Sequence, residues 1–213
     1  KFLYQPYFCQ QLGLFSKHKI TDDFFYKFIE KIPSKFKYWH IHLNFENKWL
    51  SPKLNFKMRL TYELDLNKPY HELYDAFKSD AKKNLARLAL SQYQVKKNIP
   101  LTEVANLYFE NYGTHYANQM ELKEKSLALL NIALNLNKGF SIGVYNQQNE
   151  LLSAGFFMVS HHRIYYIMGA PTVIGKSIGA THAIIDEVLK EYAQNDLIFD
   201  FEGSVIETVA YFY

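Results

Sequence analysis

Apolar and polar residues alternate with two different periods along the chain. In the stretches 21–32, 69–88, 101–109 and 122–136 the apolar positions recur every three or four residues, which predicts amphipathic helices. Thr21 predicts the N-cap of a first helix that ends before Pro33, and Pro69 predicts the first turn of a long helix reaching Leu88. From Gly139 the period becomes two, which predicts strands.

These patterns predict a complete order of elements. Further helices are expected at 101–109, 122–136 and 178–194, and a last one is expected to begin at Ser204. Strands are expected at 3–15 (one or two), 38–45, 56–66, 93–99, 140–145, 151–160, 163–168 and 197–201, with 38–45 and 56–66 as a hairpin or neighbours. The order after Gly139 indicates an α/β (α+β) fold with a mixed sheet flanked by helices.

Composition narrows the class of protein. One cysteine, Cys9, among 213 residues excludes an internal disulfide framework and a cysteine-rich zinc module, and suits a reducing, cytoplasmic setting. The net charge of +3 is too small to indicate a general nucleic-acid binder. We expect no membrane span, since no apolar run approaches about 18 residues. The chain opens without Met and stops inside a predicted helix, so we expect a fragment of a longer protein.

A glycine-containing loop before the 178–194 helix is a candidate anion site. Unpaired N–H groups at a helix N-terminus favour anions, and Lys176 between Gly175 and Gly179 would add a charge. The alternative is that the two glycines only permit a tight turn and close helix packing. The residues alone leave both interpretations open.

The last third of the chain resembles a known family. The stretch 175–186 followed by 197–204, which reads LIFDFEGS, is similar to the C-terminal half of Fem-like GNAT-superfamily acyltransferases, the group that includes the FemABX peptidyltransferases. The helix segment 82–87 and the early segment 5–13 resemble the same family more weakly. The resemblance implies tandem GNAT-like halves, with 1–68 the C-terminal part of a first half and 69–213 a second half truncated at its C-terminus.

The resemblance also implies a reaction and a site. The reaction is transfer of an acyl or aminoacyl group from a thioester or ester donor to a small-molecule amine, with acetyl-CoA or another acyl-CoA as co-substrate. The implied donor-binding residues are Gly175, Lys176, Ser177, Gly179 and Ala180, and the implied substrate-binding residues are Tyr166, His182 and Arg87.

One departure from the family pattern concerns the donor. The family's pyrophosphate loop begins with Gln or Arg and ends with Gly or Ala, whereas Lys176 and Thr181 occupy those positions here. A tRNA or carrier-protein donor therefore stays open. The basic helix side formed by Lys78, Lys82, Lys83 and Arg87 is the candidate contact for a tRNA, with an ordinary solvated face as the alternative.

Acylation of an amine needs a base and donors for the oxyanion. Asp200 and Glu202 point to the same side if their strand continues, so either is a candidate base. Ser204 is a candidate oxyanion donor. The structural alternatives are a hydrogen-bonded buried carboxylate for Asp200 and a helix N-cap for Ser204.

Three other functions compete with this one. A P-loop nucleotide binder is conceivable because 170–177 fits a loose Walker A pattern, although Pro171 and β-branched neighbours suit it poorly. A metal site would need His40, His42 and the pair at 161–162, and we expect none. A non-catalytic small-molecule or partner-binding module on a degenerate GNAT scaffold is the alternative from another class.

Overall fold

The computed structural model describes residues 1–47 and 56–203 and divides the chain into two units, Lys1–Met58 and Arg59–Tyr213. In the first unit, helix α1 (Asp22–Glu30) begins where predicted, since the Thr21 hydroxyl accepts a hydrogen bond of 3.3 Å from the Phe24 N–H. Phe25 on the inner side of α1 is fully buried.

The first unit has a two-stranded parallel sheet. Strands β1 (Phe2–Tyr4) and β2 (Tyr38–His40) pair in register from Phe2 with Tyr38 to Tyr4 with His40. The predicted pairing of 38–45 with 56–66 is therefore wrong. Alternation specifies the two faces of a strand but not the strand beside it, which explains the error.

The second unit contains the remaining elements. Its strands are β3 (Glu63–Asp65), β4 (Gln94–Lys97), β5 (Gly139–Tyr145), β6 (Leu151–Ser160), β7 (Arg163–Pro171) and β8 (Ile198–Asp200). Its helices are α2 (Tyr70–Asp75), α3 (Ser79–Leu90), α4 (Leu101–Tyr112), α5 (Gln119–Asn135), α6 (Val173–Ile178) and α7 (Ala180–Tyr192), with a 3-10 turn at Gly113–His115. The predicted helix from Ser204 lies outside the described residues.

The six strands form one mixed sheet in the order β3-β8-β7-β6-β5-β4. Every neighbouring pair is antiparallel except β7 and β8, which are parallel and are joined through α6 and α7. A parallel pair needs such a crossover because its strands run in the same direction. The expected fold class, a GNAT-like mixed sheet flanked by helices, is confirmed.

Two predicted elements differ from the structure. The long helix after Pro69 is divided into α2 and α3, because Lys78 takes an extended conformation with φ −58° and ψ 149° between them. No Gly or Pro marks the break between Asp75 and Ser79, so local sequence could not place it. The predicted loop after Gly169 contains helix α6, which Thr172 caps by accepting from the Gly175 N–H.

The two structural units divide between Met58 and Arg59. β3, which falls within the predicted segment 1–68, pairs with β8 in the second unit's sheet. The assignment of 1–68 and 69–213 to two GNAT-like halves stays a prediction. In the largest hydrophobic cluster of the second unit, Leu85, Leu88, Ile184 and Val188 lie with Phe157 and Phe199. Helices α4 and α5 also pack on the sheet, and their Val104, Phe109 and Leu130 are buried outside this cluster.

Candidate functional site

The parallel strands β7 and β8 separate partway along their length. They pair only from Arg163 with Ile198 to Tyr165 with Asp200, although β7 continues to Pro171. The register between β6 and β7 shifts at the same level, which leaves Ile167 as an extra residue in β7. Such a bulge bends a strand and re-aims its side chains, and bulges are enriched beside active sites.

A group of charged side chains lies where β7 and β8 are still paired. Arg163 donates through Nη1 to Glu63 Oε1 at 2.8 Å and to Asp200 Oδ2 at 3.2 Å. Leu64, Ile164 and Phe199 belong to the core shared with α7, so these alternating charged residues lie on the other face of the sheet. This carboxylate cluster consists of Glu63, Arg163, Asp200 and Glu202.

Asp200 is enclosed and fully hydrogen-bonded. Its side chain is 0% exposed, and besides Arg163 it accepts from Thr61 Oγ1 at 3.1 Å and from the Glu202 N–H at 2.8 Å. Both carboxylate oxygens are therefore used inside the protein, which is the structural alternative considered for Asp200. An acid held in this way orients its neighbours and has no open lone pair directed at a substrate.

Glu202 has a different environment. The strand ends at Asp200, and Glu202 takes a left-handed conformation with φ 64°, so the two acids are not aligned along one continuing strand. Its Oε2 is buried and has no hydrogen-bond partner within the described residues. Burial, reinforced by the charge of Asp200 and opposed by Arg163, raises the pKa of Glu202 to about 8. Ser204 lies outside the described residues, so its predicted role is not placed.

The predicted donor-binding segment is largely taken up by packing. A Cβ on the buried Gly175 would lie 1.8 Å from the Leu152 carbonyl oxygen. Gly179 has a left-handed φ of 79° and lies against Asn84, and Ala180 is 0% exposed. These residues fit the packing alternative, since Gly175 lets α6 approach β6 and Gly179 lets the α6–α7 junction approach α3. The P-loop interpretation is wrong, because helix α6 occupies the place of an open phosphate-binding loop.

The exposed residues of this segment are Lys176 and Ser177. Arg87 of α3 donates through Nη1 to the Ser177 carbonyl at 2.9 Å, so it joins α3 to the end of α6. This is one of the helix-terminal carbonyls that otherwise lack a partner. Tyr166, also predicted to bind substrate, is 9% exposed and stacks on Phe157 with ring centroids 5.1 Å apart. Tyr166 therefore belongs to the core.

A pocket of about 380 Å³ lies at the β3 edge of the sheet, beneath α2, α3 and α7. Its lining is mainly apolar: Tyr62, Leu64, Leu73, Ala76, Phe77, Ala81, Leu85, Ile185, Leu189 and Phe201, with Glu63, Lys78, Asp80, Asn84 and His182 as its polar members. Glu63 belongs both to the lining and to the carboxylate cluster, whereas Arg163, Asp200 and Glu202 are not among the lining residues. Asn84, which also lines the pocket, touches Gly179 of the α6–α7 junction.

His182, predicted to bind substrate, does line this pocket. Its Nδ1 lies 3.3 Å from the Gly179 carbonyl oxygen, which can only accept, so Nδ1 carries the proton. Nε2 then accepts from the Asn84 amide at 3.3 Å. Burial lowers the pKa of His182, which keeps the ring neutral. His182 therefore lines the pocket in a fixed orientation and holds the Asn84 amide in place.

Sequence reasoning missed Arg163, Glu63 and Asn84 as site residues. Arg163 carried a signal, because a lone arginine at the start of an apolar strand requires a buried partner. Asn84 lies within the quoted 82–87 segment but was not singled out. Glu63 gave no signal, since its place depends on the pairing of β3 with β8, which joins Glu63 to Asp200 far along the chain.

Two expectations concern absences. His40 and His42 have ring centroids 5.3 Å apart, but no group of three or more His, Cys, Asp or Glu residues within 1–47 and 56–203 is arranged to hold a metal ion. Across the same described part of the chain, no helix combines the length and the hydropathy needed to cross a membrane.

Comparisons with known proteins show the fold alone. No protein-family model matches the chain, and no curated protein matches its sequence. Among solved structures it is similar to FemX, with TM-score 0.50 and 11% identity over 68% of this chain and 52% of that one. It also matches a conserved protein of unknown function from Bacteroides thetaiotaomicron VPI-5482 (TM-score 0.48, 15% identity, 70% and 52% covered).

A further match is L-PGS from Bacillus licheniformis, with TM-score 0.43 and 13% identity over 68% of this chain and 45% of that one. The chain therefore spans about half the length of the solved structures it resembles. The FemX likeness supports a Fem-type, GNAT-like fold for this chain.

Proposed function

We propose that this chain is part of a Fem-like acyltransferase that moves an acyl or aminoacyl group from a thioester or ester donor to an amine. Glu202 carries the proposal. The side chain is partly buried, its buried Oε2 has no hydrogen-bond partner among the described residues, and it follows the point where β7 and β8 separate. A carboxyl whose pKa is raised to about 8 is matched to accepting a proton near neutral pH.

In the proposed reaction the amine nitrogen attacks the donor carbonyl carbon, and a C–N bond forms. Glu202 takes the proton that the nitrogen loses. The C–O or C–S bond then breaks, and the departing oxygen or sulfur receives this proton from Glu202, which becomes a carboxylate again. Arg163 and Asp200 act as positioning residues, because Asp200 accepts the Glu202 N–H and Arg163 holds Asp200 in place.

The donor is proposed to lie along the pocket between the carboxylate cluster and the α6–α7 junction. With Gly175, Gly179 and Ala180 packed, a phosphate on the donor would meet side chains, chiefly those of Lys176 and Arg87. This arrangement suits an acyl-CoA, an aminoacyl-tRNA or an acyl-carrier protein, since each bears a phosphate. No metal takes part in the proposed reaction.

The test is a transfer assay with the chain in its full-length protein. Acyl-CoA, acyl-carrier and aminoacyl-tRNA donors are incubated with a panel of amines, and acylated products are detected by mass spectrometry. We expect Glu202→Gln to lower kcat/KM by about 100-fold or more, because the base is removed. Glu124→Gln is the matched control, since Glu124 is exposed on α5.

Two outcomes would contradict the proposal. Product formation that is equal in Glu202→Gln and wild type would remove Glu202 from the reaction. Failure to acylate any amine with any donor would favour the non-catalytic binding module instead. In wild type, kcat/KM is expected to rise as the pH increases through about 8, where Glu202 loses its proton.

A further inference from the structure

The pocket beneath α2, α3 and α7 has a chemical preference that its walls define. Its inner surface is formed by aliphatic and aromatic side chains, among them Leu73, Phe77 and Leu85. Leu73 is 2% exposed and Leu85 is 8% exposed, so these walls are fixed in the core. A ligand placed here exchanges water for apolar contacts, which favours an apolar group.

The polar residues of the lining do not place an uncompensated charge inside the pocket. Glu63 is bonded to the buried Arg163, which offsets its charge. Lys78 and Asp80 are exposed residues of opposite sign at the start of α3. The His182 ring is hydrogen-bonded through both nitrogens, and its lowered pKa keeps it neutral. A buried charged group on a ligand would therefore lose its hydration without gaining a dedicated partner.

The volume sets the size of the group. A dry apolar cavity of about 150 Å³ accommodates one benzene molecule. A pocket of about 380 Å³ therefore has room for an aliphatic or aromatic group of roughly ten to fifteen carbon atoms. An acetyl or alanyl group would leave most of this space unfilled.

We propose that this pocket holds the apolar body of the transferred acyl group, a medium-length aliphatic or aromatic chain whose carbonyl end is directed to the Phe201 and Glu63 side. That the bound group is transferred rests on the proposed acyl transfer. That the bound group is apolar rests on the pocket alone. The Asn84 amide, held by His182, is the polar group available to a neutral oxygen or nitrogen of the ligand.

Whether the pocket prefers an apolar ligand is tested by the binding of a neutral probe, which requires no reaction. Isothermal titration with 1-octanol is compared with 1,8-diaminooctane, which has the same chain length but a cation at each end. We expect one octanol per protein and at least tenfold weaker binding of the diamine. Tighter binding of the diamine, or no octanol binding to wild type, would overturn the inference.

Whether the probe binds in this pocket is tested with variants whose larger side chains fill it. Ala81→Phe, on the pocket side of α3, is expected to weaken octanol binding at least tenfold, and Ala86→Phe on the exposed side of the same helix is the control. Ala76→Trp fills the pocket from α2 and replaces Ala81→Phe if that variant does not fold. Unchanged octanol binding in a folded filling variant would contradict the assignment.

A transfer assay separates this inference from the proposed function. Octanol binding that Ala81→Phe abolishes, without transfer from any donor, would support the pocket and contradict acyl transfer. Acetyl transfer by a protein that does not bind octanol would support acyl transfer and contradict the pocket. If both hold, Ala81→Phe should lower octanoyl transfer at least tenfold more than acetyl transfer.

Discussion

The carboxylate cluster, which contains the predicted Asp200 and Glu202, and the α6–α7 junction, which contains the predicted donor-binding residues, differ in what their polar atoms do. In the junction, glycines permit close packing, and Arg87 binds the Ser177 carbonyl within the protein. In the cluster, Arg163 and Asp200 satisfy each other, but Glu202 keeps an oxygen without a partner among the described residues.

This difference separates residues that complete the fold from a residue that still has a polar atom without a partner. A glycine that permits close packing has already used its conformational freedom, and the bond from Arg87 Nη1 to the Ser177 carbonyl fixes where that guanidinium lies. A buried carboxylate oxygen without a hydrogen-bond partner costs stability, and such costs are concentrated at functional sites, which is why Glu202 is the proposed base. The comparison predicts that substitutions in the junction should act on folding, whereas those at Glu202 should act on activity and its pH dependence.

The largest effect is expected for Arg163→Met. It leaves Asp200, which is 0% exposed, without its cation, and breaking a buried pair from one side costs about 3–5 kcal/mol. The free energy of unfolding in urea measures the loss. Lys97→Met is the control, because Lys97 pairs with Glu187 and Glu191 while 43% exposed, and such pairs contribute about 0–1 kcal/mol. Equal losses in the two variants would show that the cluster is not buried as described.

A smaller effect is expected for Gly175→Ala. The added Cβ would lie 1.8 Å from the Leu152 carbonyl oxygen, and forcing the backbone apart costs about 1–3 kcal/mol. Thermal and urea unfolding measure it. Ser177→Ala, two residues along in the same helix but exposed, should change stability by about 0.5 kcal/mol or less. A Gly175→Ala variant of unchanged stability but weakened donor binding would contradict this prediction and indicate that Gly175 contacts the donor.

The smallest effect is the pH dependence of stability that Glu202 contributes. Its folded pKa of about 8 lies above the ordinary value of 4.5, so its stabilising contribution is complete below pH 4.5 and is lost as the pH rises through 8. Since Glu202 is partly accessible to solvent, screening leaves on the order of 1 kcal/mol.

Glu202→Gln cannot ionise and should lose none of this stability, so the variant gains on wild type between pH 5 and pH 9. Urea unfolding at a series of pH values checks the sign. Parallel pH profiles for the two proteins would show that Glu202 is solvated and has an ordinary pKa.

Much of the fold could be predicted from local pattern. The consecutive strands β5, β6 and β7, the helix capped by Thr21 and the mixed sheet all agree with the periodicity and capping residues of the sequence. The break at Lys78 and the partner of β2 could not be predicted, because both depend on contacts with elements distant in the sequence. The high aromatic content, 17% of the chain, is partly explained by stacked rings such as Phe157 with Tyr166.

By itself, the sequence determined the fold class and the chemical types at the candidate site, since periodicity and the segment ending in Asp200 and Glu202 are local properties of the chain. Only the tertiary structure decided which of these residues have polar atoms left for a ligand. Burial, the pairing of β3 with β8 and the contact of Arg163 with Asp200 join residues far apart in sequence. A residue's hydrogen-bonding capacity is fixed by its type, but whether that capacity is already used depends on its neighbours in space.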